Sequence, residues 1–288
     1  MGWKVYHIAL RLKTPLHAGR GQSGNLLVSG TYVTGRTLWG ALTARLTRDS
    51  NASPNAKDYR DMGGRINEQI AFTYFYPAIR KNNEYRLIWP WSQNQTDPIR
   101  ASRIATALDN YQGTSENGAL FEVECIPPYD LDACSPVYLI GYIFAMDDEL
   151  KWENVLDRLQ LGSERCYGWG RVTKSACDEI QIGKSTSIFN GMVSVDISDP
   201  TVRPKLFVCA TANAPGRLLA HTRLAKGKVQ GETEPLVTRE WQAGAELASG
   251  PGRKVKYHGV FYSPGSKVFT NCQFLIGKNG IWEAIQSE

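Results

Sequence analysis

Residues 161–172 read LGSERCYGWGRV. Gly162, Gly168 and Gly170 are interleaved there with Glu164, Arg165, Trp169 and Arg171. Glycine at this density breaks regular structure, because it takes up positive-φ backbone without a steric penalty. The arginines supply charge-assisted contacts to phosphate, and the tryptophan supplies a surface on which a base can stack. The alternative is a Gly-rich turn with Trp169 in the core. The flanks decide what kind of fold carries this loop. KWENVLDRLQLG (151–162) has the apolar spacing of a short helix closed by Gly162. PVYLIGYIFAM (136–146) before it is an apolar strand, and the chain turns strand-like again after residue 172.

Further upstream the pattern repeats. In residues 3–13, Tyr6, Ile8, Leu10 and Leu12 alternate with Lys4, Arg11 and Lys13, which lie mostly on the other side, the period of a strand. NLLVSGTYV (25–33) is a second extended piece. Thr34 or Thr37 can then cap a helix whose apolar stripe is Leu38, Ala41, Leu42 and Leu46. Residues 49–65 are polar and read as a surface excursion. EYRLIW (84–89) and ALFEVECI (119–126) read as strands. The first half therefore predicts an α+β, ferredoxin-like unit over residues 1–184, with two helices on one face of an antiparallel sheet. Beyond about residue 185 the strand signals are MVSVDIS, KLFVCATANA, VKYHGVFYS and SKVFTNCQFLI. Residues 185–288 are expected to form a second, β-rich and degenerate copy, giving tandem ferredoxin-like (RRM-like) domains. The Gly-rich, basic stretch 217–255 reads as a long loop that orders only on a partner.

A second glycine cluster lies at LHAGRGQSGN (16–25), with Gly19, Gly21 and Gly24 in a G-x-G-x-x-G. A dinucleotide fingerprint needs a helix after the glycines and an acid about 20 residues on. Here an extended segment follows, and Asp49 is the first acid of the chain. No G-K-[ST] makes it a P-loop. With His17 and Arg20 alongside, these glycines suit a close backbone approach to the phosphates of a polymer. The plainer alternative is a flexible hairpin loop.

Charge is distributed in blocks. Residues 1–48 hold seven Lys or Arg and no acid, and residues 203–258 hold ten basic residues against four acids. Residues 49–164 reverse this, with eighteen acids and ten bases. Two basic segments around an acidic middle predict a polyanion-binding face; scattered solvated charge is the alternative. The six cysteines form no C-x-x-C and the four histidines are scattered, so reduced thiols are expected, with no metal and no cofactor. No apolar run approaches the length of a membrane span, and a cytoplasmic protein is expected.

The motifs, taken in order, resemble the RAMP superfamily of CRISPR-associated proteins. TPLHAGRG resembles the end of that family's first strand, and YVTGRTLWGALTARL the start of its first helix. SRIATALDNYQGTSENGALFEVECI resembles its segment ending G-x-L-F, and LGSERCYGWGRV its signature glycine loop. YGWGRV is also similar to the glycine–aromatic pattern of the RNA-binding strand in RRM domains. GVFYSPGSKVF resembles a C-terminal motif of the Cas-five-like group. In this chain Arg36–Thr37 stands where the family often has two serines, and DNYQG lacks the usual arginine. The resemblance implies a subunit of a type III effector complex that binds the repeat-derived 5′ handle of the crRNA. It further implies contacts with the large polymerase-like signature subunit and the backbone RAMP subunits, with target RNA met indirectly.

Residues expected to touch RNA are His17, Gly19, Arg20 and Gly21, then Arg36 and Arg103. The glycine loop adds Gly162, Arg165, Gly168, Trp169, Gly170 and Arg171, and the second half adds Arg253, Lys254, Lys256 and His258. No residue is expected to be catalytic. The alternative is a metal-independent endoribonuclease with His17 as base and Arg20 or Arg165 stabilising the oxyanion. Tyr167, or His258 beside Lys254 and Lys256, would be further candidates for that chemistry. No His-Asp pair and no G-x-S-x-G point to other hydrolases.

Overall fold

A computed structural model of the chain describes residues 2–92, 97–109, 111, 114–116, 118–146, 150–181, 183, 186–211, 213–224, 229–242 and 250–285. It is an α+β structure built around one central sheet. The chain opens with β1 (Lys4–Leu12), then the hairpin β2 (Gly19–Ser23) and β3 (Leu26–Ser29), then α1 (Gly35–Ser50). The cap of α1 is Thr34, whose hydroxyl accepts the Thr37 N–H, and Leu38, Ala41, Leu42 and Leu46 are buried on one stripe.

Residues 49–65 do lie mostly at the surface, but they are not irregular. Most of them enter α2 (Ala56–Gln69), which starts at a reciprocal capping box between Asn55 and Asp58. The helix buries only Gly63 and Ile66, so its sequence carries no apolar stripe. Gly63 lets Trp39 of α1 lie against it, and the Trp39 Nε1–H donates to the Gly63 carbonyl at 2.9 Å.

The first half continues with β4 (Ile70–Phe72), β5 (Tyr76–Lys81), β6 (Glu84–Leu87) and β7 (Ala101–Ala105). A short ladder of β8 (Leu108–Asp109) and β9 (Thr114–Ser115) precedes β10 (Phe121–Cys125) and β11 (Val137–Ala145). The helix expected after β11 is a 3-10 helix, Trp152–Arg158; seven residues without a side-chain cap suit the tighter form. β12 (Val172–Ile180) closes the half.

The central sheet runs β12-β1-β11-β5-β6 with every neighbour antiparallel, and β4 also pairs with β11. All nine residues of β11 are buried, which is why that strand reads apolar without alternation. On one face Tyr6, Ile8, Leu10 and Leu12 pack against Leu38, Leu42, Trp152 and Leu156. On the other, Val5, Ala9, Ile140 and Phe144 pack against Phe189, Leu206, Phe274 and Trp282 of the second half. A smaller sheet, β2-β3-β10-β7, lies beside it.

The second half consists of β13 (Ser187–Ile188), β14 (Val193–Asp196), β15 (Lys205–Val208), β16 (Gly216–Arg217), β17 (Thr222–Arg223) and β18 (Val229–Gln230). The long strands β19 (Thr233–Gln242) and β20 (Gly250–Tyr262) follow, then β21 (Lys267–Val268), β22 (Cys272–Ile276) and β23 (Trp282–Ala284). Eight of these form one sheet, β13-β14-β15-β22-β23-β17-β20-β19, and β16-β21-β18 form another. This half has no α-helix among the described residues. The expected loop over 217–255 is corrected: β19 and β20 pair antiparallel along their length, from Thr233↔Tyr262 to Gln242↔Gly250. Strand-forming Val237, Thr238, Val255 and Tyr257 sit in register there. Residues 225–228 and 243–249 of that stretch lie outside the described residues. No described helix is long and apolar enough to cross a membrane.

Candidate nucleic-acid interface

The two glycine clusters meet. Gly162 has φ +74°, and a Cβ there would overlap the His17 carbonyl, which also accepts the Ser163 N–H at 3.0 Å. Gly170 has φ +75°; its N–H donates to the Pro15 carbonyl at 2.7 Å and its carbonyl accepts from Leu161 at 2.8 Å. The Thr14 hydroxyl donates to the Gly168 carbonyl and accepts the Arg171 N–H, both at 2.9 Å. Gly162 and Gly170 thus serve close backbone packing, against His17 and Leu161, while a Cβ at Gly168 would meet open space. The loop shows Arg165, Arg171 and Tyr167 to solvent, the last 76% exposed, together with Ser163 and Cys166. Trp169 is half-buried, so Tyr167 is the more open stacking surface. Neither Arg165 nor Arg171 has a side-chain hydrogen bond or ion pair among the described residues.

Gly19 and Gly21 lie in the hairpin β2–β3, paired with Ser29 and Val28, and Gly24 (φ +57°) makes its turn. No helix follows, in keeping with the missing dinucleotide fingerprint. The pairing engages one edge of β2, the outer strand of its sheet, and all five of its residues are exposed. His17 is 4% exposed; its Nδ1–H donates to the Glu124 carbonyl at 2.6 Å, and its Nε2 faces Gly19. This is the arrangement of a packed histidine, not of a ring open to solvent.

Arg20 is engaged. Its Nε and Nη2 donate to one oxygen of Glu234 on β19, at 3.1 and 2.7 Å. The other Glu234 oxygen lies 2.8 Å from Nε2 of the buried His221, whose Nδ1 is 2.6 Å from the Tyr74 hydroxyl. Burial pushes the Glu234 carboxyl up, but the hydrogen bonds of His221 and Arg20 outweigh it and bring its pKa down to about 2. Neither Glu234 nor His221 stood out in the sequence, because 214 residues separate Arg20 from its partner.

Arg36, on the first turn of α1, donates to the Arg239 carbonyl at 2.6 Å and lies 5.5 Å over the Trp39 ring. His258 Nε2 is 2.7 Å from the Thr238 hydroxyl; burial first, then the Lys256 charge, lower its pKa. Lys254 and Lys256 are exposed, and Lys256 pairs with Glu240 at 3.6 Å. The side chain of Arg253 lies outside the described residues. Arg103 is exposed on β7, the edge of the small sheet opposite β2. The fold therefore unites the glycine loop with His17, joins Arg20 to the root of the β19–β20 hairpin, and seats Arg36 beside Arg239. Arg103 lies across the small sheet from Arg20 but beside β10, whose Glu124 carbonyl holds His17.

No family model and no curated protein matches the chain. Among solved structures it is similar to chains of type III-B Cmr-beta complexes determined by cryo-EM. One, bound to cognate target RNA and AMPPnP, matches at 12% identity and a TM-score of 0.48 over 91% of this chain and 85% of that one. A second, bound to cognate target RNA, matches at 11% and 0.41 over 60% of this chain and 96% of that one. A third, in the apo state, matches at 10% and 0.37 over 62% and 97%.

Proposed function

We propose that this chain is a non-catalytic RNA-binding subunit of a type III CRISPR effector ribonucleoprotein in the cytoplasm. It holds the repeat-derived 5′ handle of the crRNA and joins the large polymerase-like subunit to the backbone RAMP subunits, meeting target RNA indirectly. The observation that carries this reading is the junction of the two glycine clusters. It fixes a rigid backbone platform and leaves Arg165, Arg171 and Tyr167 at the surface. Cations aimed outward beside an exposed ring are the elements of single-strand recognition, charge for the backbone and a face for a base. The four RAMP-like motifs in order support the family.

The central sheet supports a ferredoxin-like first unit, residues 1–184. β1 lies between β12 and β11, and β5 follows, the order of a strand–helix–strand–strand–helix–strand unit. Residues 185–288 are read as its β-rich, degenerate companion. The burial of His17 and its bond to a backbone carbonyl favour binding over cleavage.

The test incubates the purified protein with labelled repeat-containing RNA, without metal, across a salt series, on native and denaturing gels. Binding that weakens steeply with salt and leaves the RNA intact is expected. Arg165→Ala and Arg171→Ala should each weaken it several-fold in folded protein. A discrete shorter product that disappears in His17→Ala would establish the endoribonuclease instead. Feeble binding without salt dependence would leave a protein-only scaffold.

A further inference from the structure

An open cleft of about 640 Å³ lies where the end of β1, the 3-10 helix Trp152–Arg158 and the start of β12 converge. That size lies within the range of small-ligand sites, roughly 300–1,000 Å³. Lys13, Thr14, Asp157, Arg158, Gln160 and Arg171 are among its walls. We propose that this cleft is a subsite for the phosphate of one nucleotide, with Lys13 and Arg171 as its cations. The assignment of that nucleotide to a bound RNA strand rests on the RNA-binding reading above.

The charge balance at the cleft leads to this assignment. Asp157 bonds only neutral donors, one oxygen accepting the Thr173 hydroxyl at 2.7 Å and the Lys174 N–H at 2.8 Å, so its charge offsets one of the cleft's cations and no more. Arg158 is committed to Asp49, to which Nη1 and Nη2 donate at 3.2 and 2.6 Å. The Thr14 hydroxyl is used by the glycine loop. Lys13 and Arg171 remain, and neither has a side-chain partner among the described residues. They sit directly across a ladder, with the Lys13 N–H on the Arg171 carbonyl at 2.8 Å. Two adjacent cations repel, and an anion between them relieves that repulsion while gaining charge-assisted hydrogen bonds.

The buried Leu159 and Val172 lie beneath the cleft. Its wall is tied to the glycine loop: the Gln160 amide donates to the carbonyls of Arg165 and Trp169, each at 2.9 Å. A strand lying over Arg165 and Tyr167 therefore leads towards Lys13.

The test uses the full chain as wild type, Lys13→Ala and Lys13→Arg. A labelled single-stranded oligoribonucleotide is titrated over a salt series, AMP binding is followed separately by NMR, and thermal melts check folding. Lys13→Ala should bind RNA about fivefold more weakly, with the log–log salt slope shallower by roughly 0.7, one phosphate on a single strand. Lys13→Arg should restore both, and melting should not change. If Arg165→Ala weakens RNA binding while Lys13→Ala matches wild type in affinity and slope, the cleft proposal is overturned and the RNA reading stands. AMP binding that Lys13→Ala abolishes, with RNA affinity untouched, would replace the strand with a free nucleotide and overturn the strand assignment. If wild type binds no RNA, the functional reading itself fails, and AMP then decides: binding lost in Lys13→Ala upholds the phosphate site, and no binding removes it.

Discussion

Gly168 and Gly170 stand two residues apart in one loop, yet their replacement by alanine should differ sharply. Both have positive φ, +82° and +75°, a conformation that costs an L-residue on the order of 1–2 kcal/mol. At Gly168 a Cβ would enter open space. At Gly170 it would overlap the Leu161 carbonyl oxygen, in a backbone bonded on both sides to Leu161 and Pro15. Gly168→Ala is expected to lower stability by about 1 kcal/mol, and Gly170→Ala by about 3 kcal/mol or more, once strain and overlap combine. Urea unfolding of the two variants checks this, and equal midpoints would refute the packing role. The loop itself was legible, because its glycine density and flanking elements are local. What each glycine touches was not, since Pro15 and His17 are remote in sequence. The same remoteness hid that Arg20 is paired while Arg165 and Arg171 have no side-chain partner among the described residues.

Among elements, the link between the hairpins β2–β3 and β19–β20 is electrostatic. Glu234 has a folded pKa of about 2 against an ordinary 4.5. A carboxylate with a depressed folded pKa adds stability above its unfolded pKa, and that contribution fades as pH falls from 4.5 towards 2. Wild type should therefore lose more stability than Glu234→Gln between pH 6 and pH 3, measured as urea midpoints. Parallel pH profiles would rule out this contribution. A cycle of Arg20→Ala with Glu234→Gln should give a coupling of about 1 kcal/mol, appropriate to a half-exposed pair. The elements that reading the sequence missed share a cause: their apolar residues do not report burial. α2 buries only Ile66 and Gly63, and its one legible signal is the spacing of Asn55 and Asp58 in a capping box. VKYHGVFYS made the second part of β20 legible, but in β19 Val237 is 50% exposed, so no apolar face announced that strand within the basic, Gly-rich stretch. β1 and β11 were legible because their apolar side chains do fill the core.

The molecule as a whole is organised by the far face of its central sheet. Val5, Ala9, Ile140, Tyr142 and Phe144 on that face share one core with Phe189, Leu206, Phe274 and Trp282. Buried hydrogen bonds cross the same boundary, from the Tyr76 hydroxyl to the Leu219 carbonyl at 2.7 Å and between Tyr74 and His221. The composition change near residue 185 shows where the second half begins. It does not show that β11 needs that half, although an apolar run without alternation is the mark of a strand covered on both sides. A fragment of residues 1–184 would expose this aromatic face to water and leave the Tyr76 hydroxyl without its partner. Removing one side of a core forfeits about 25 cal/mol for each Å² of apolar surface uncovered, and domains of this size have only 5–15 kcal/mol in reserve. Full-length protein should unfold in urea as one transition, with fluorescence and far-UV dichroism superimposing. The 1–184 fragment should bind a hydrophobic dye and show no sharp transition. A fragment that unfolds cooperatively, with an m-value in proportion to its length, would mean that the halves are independent and that their shared core adds contact without dependence.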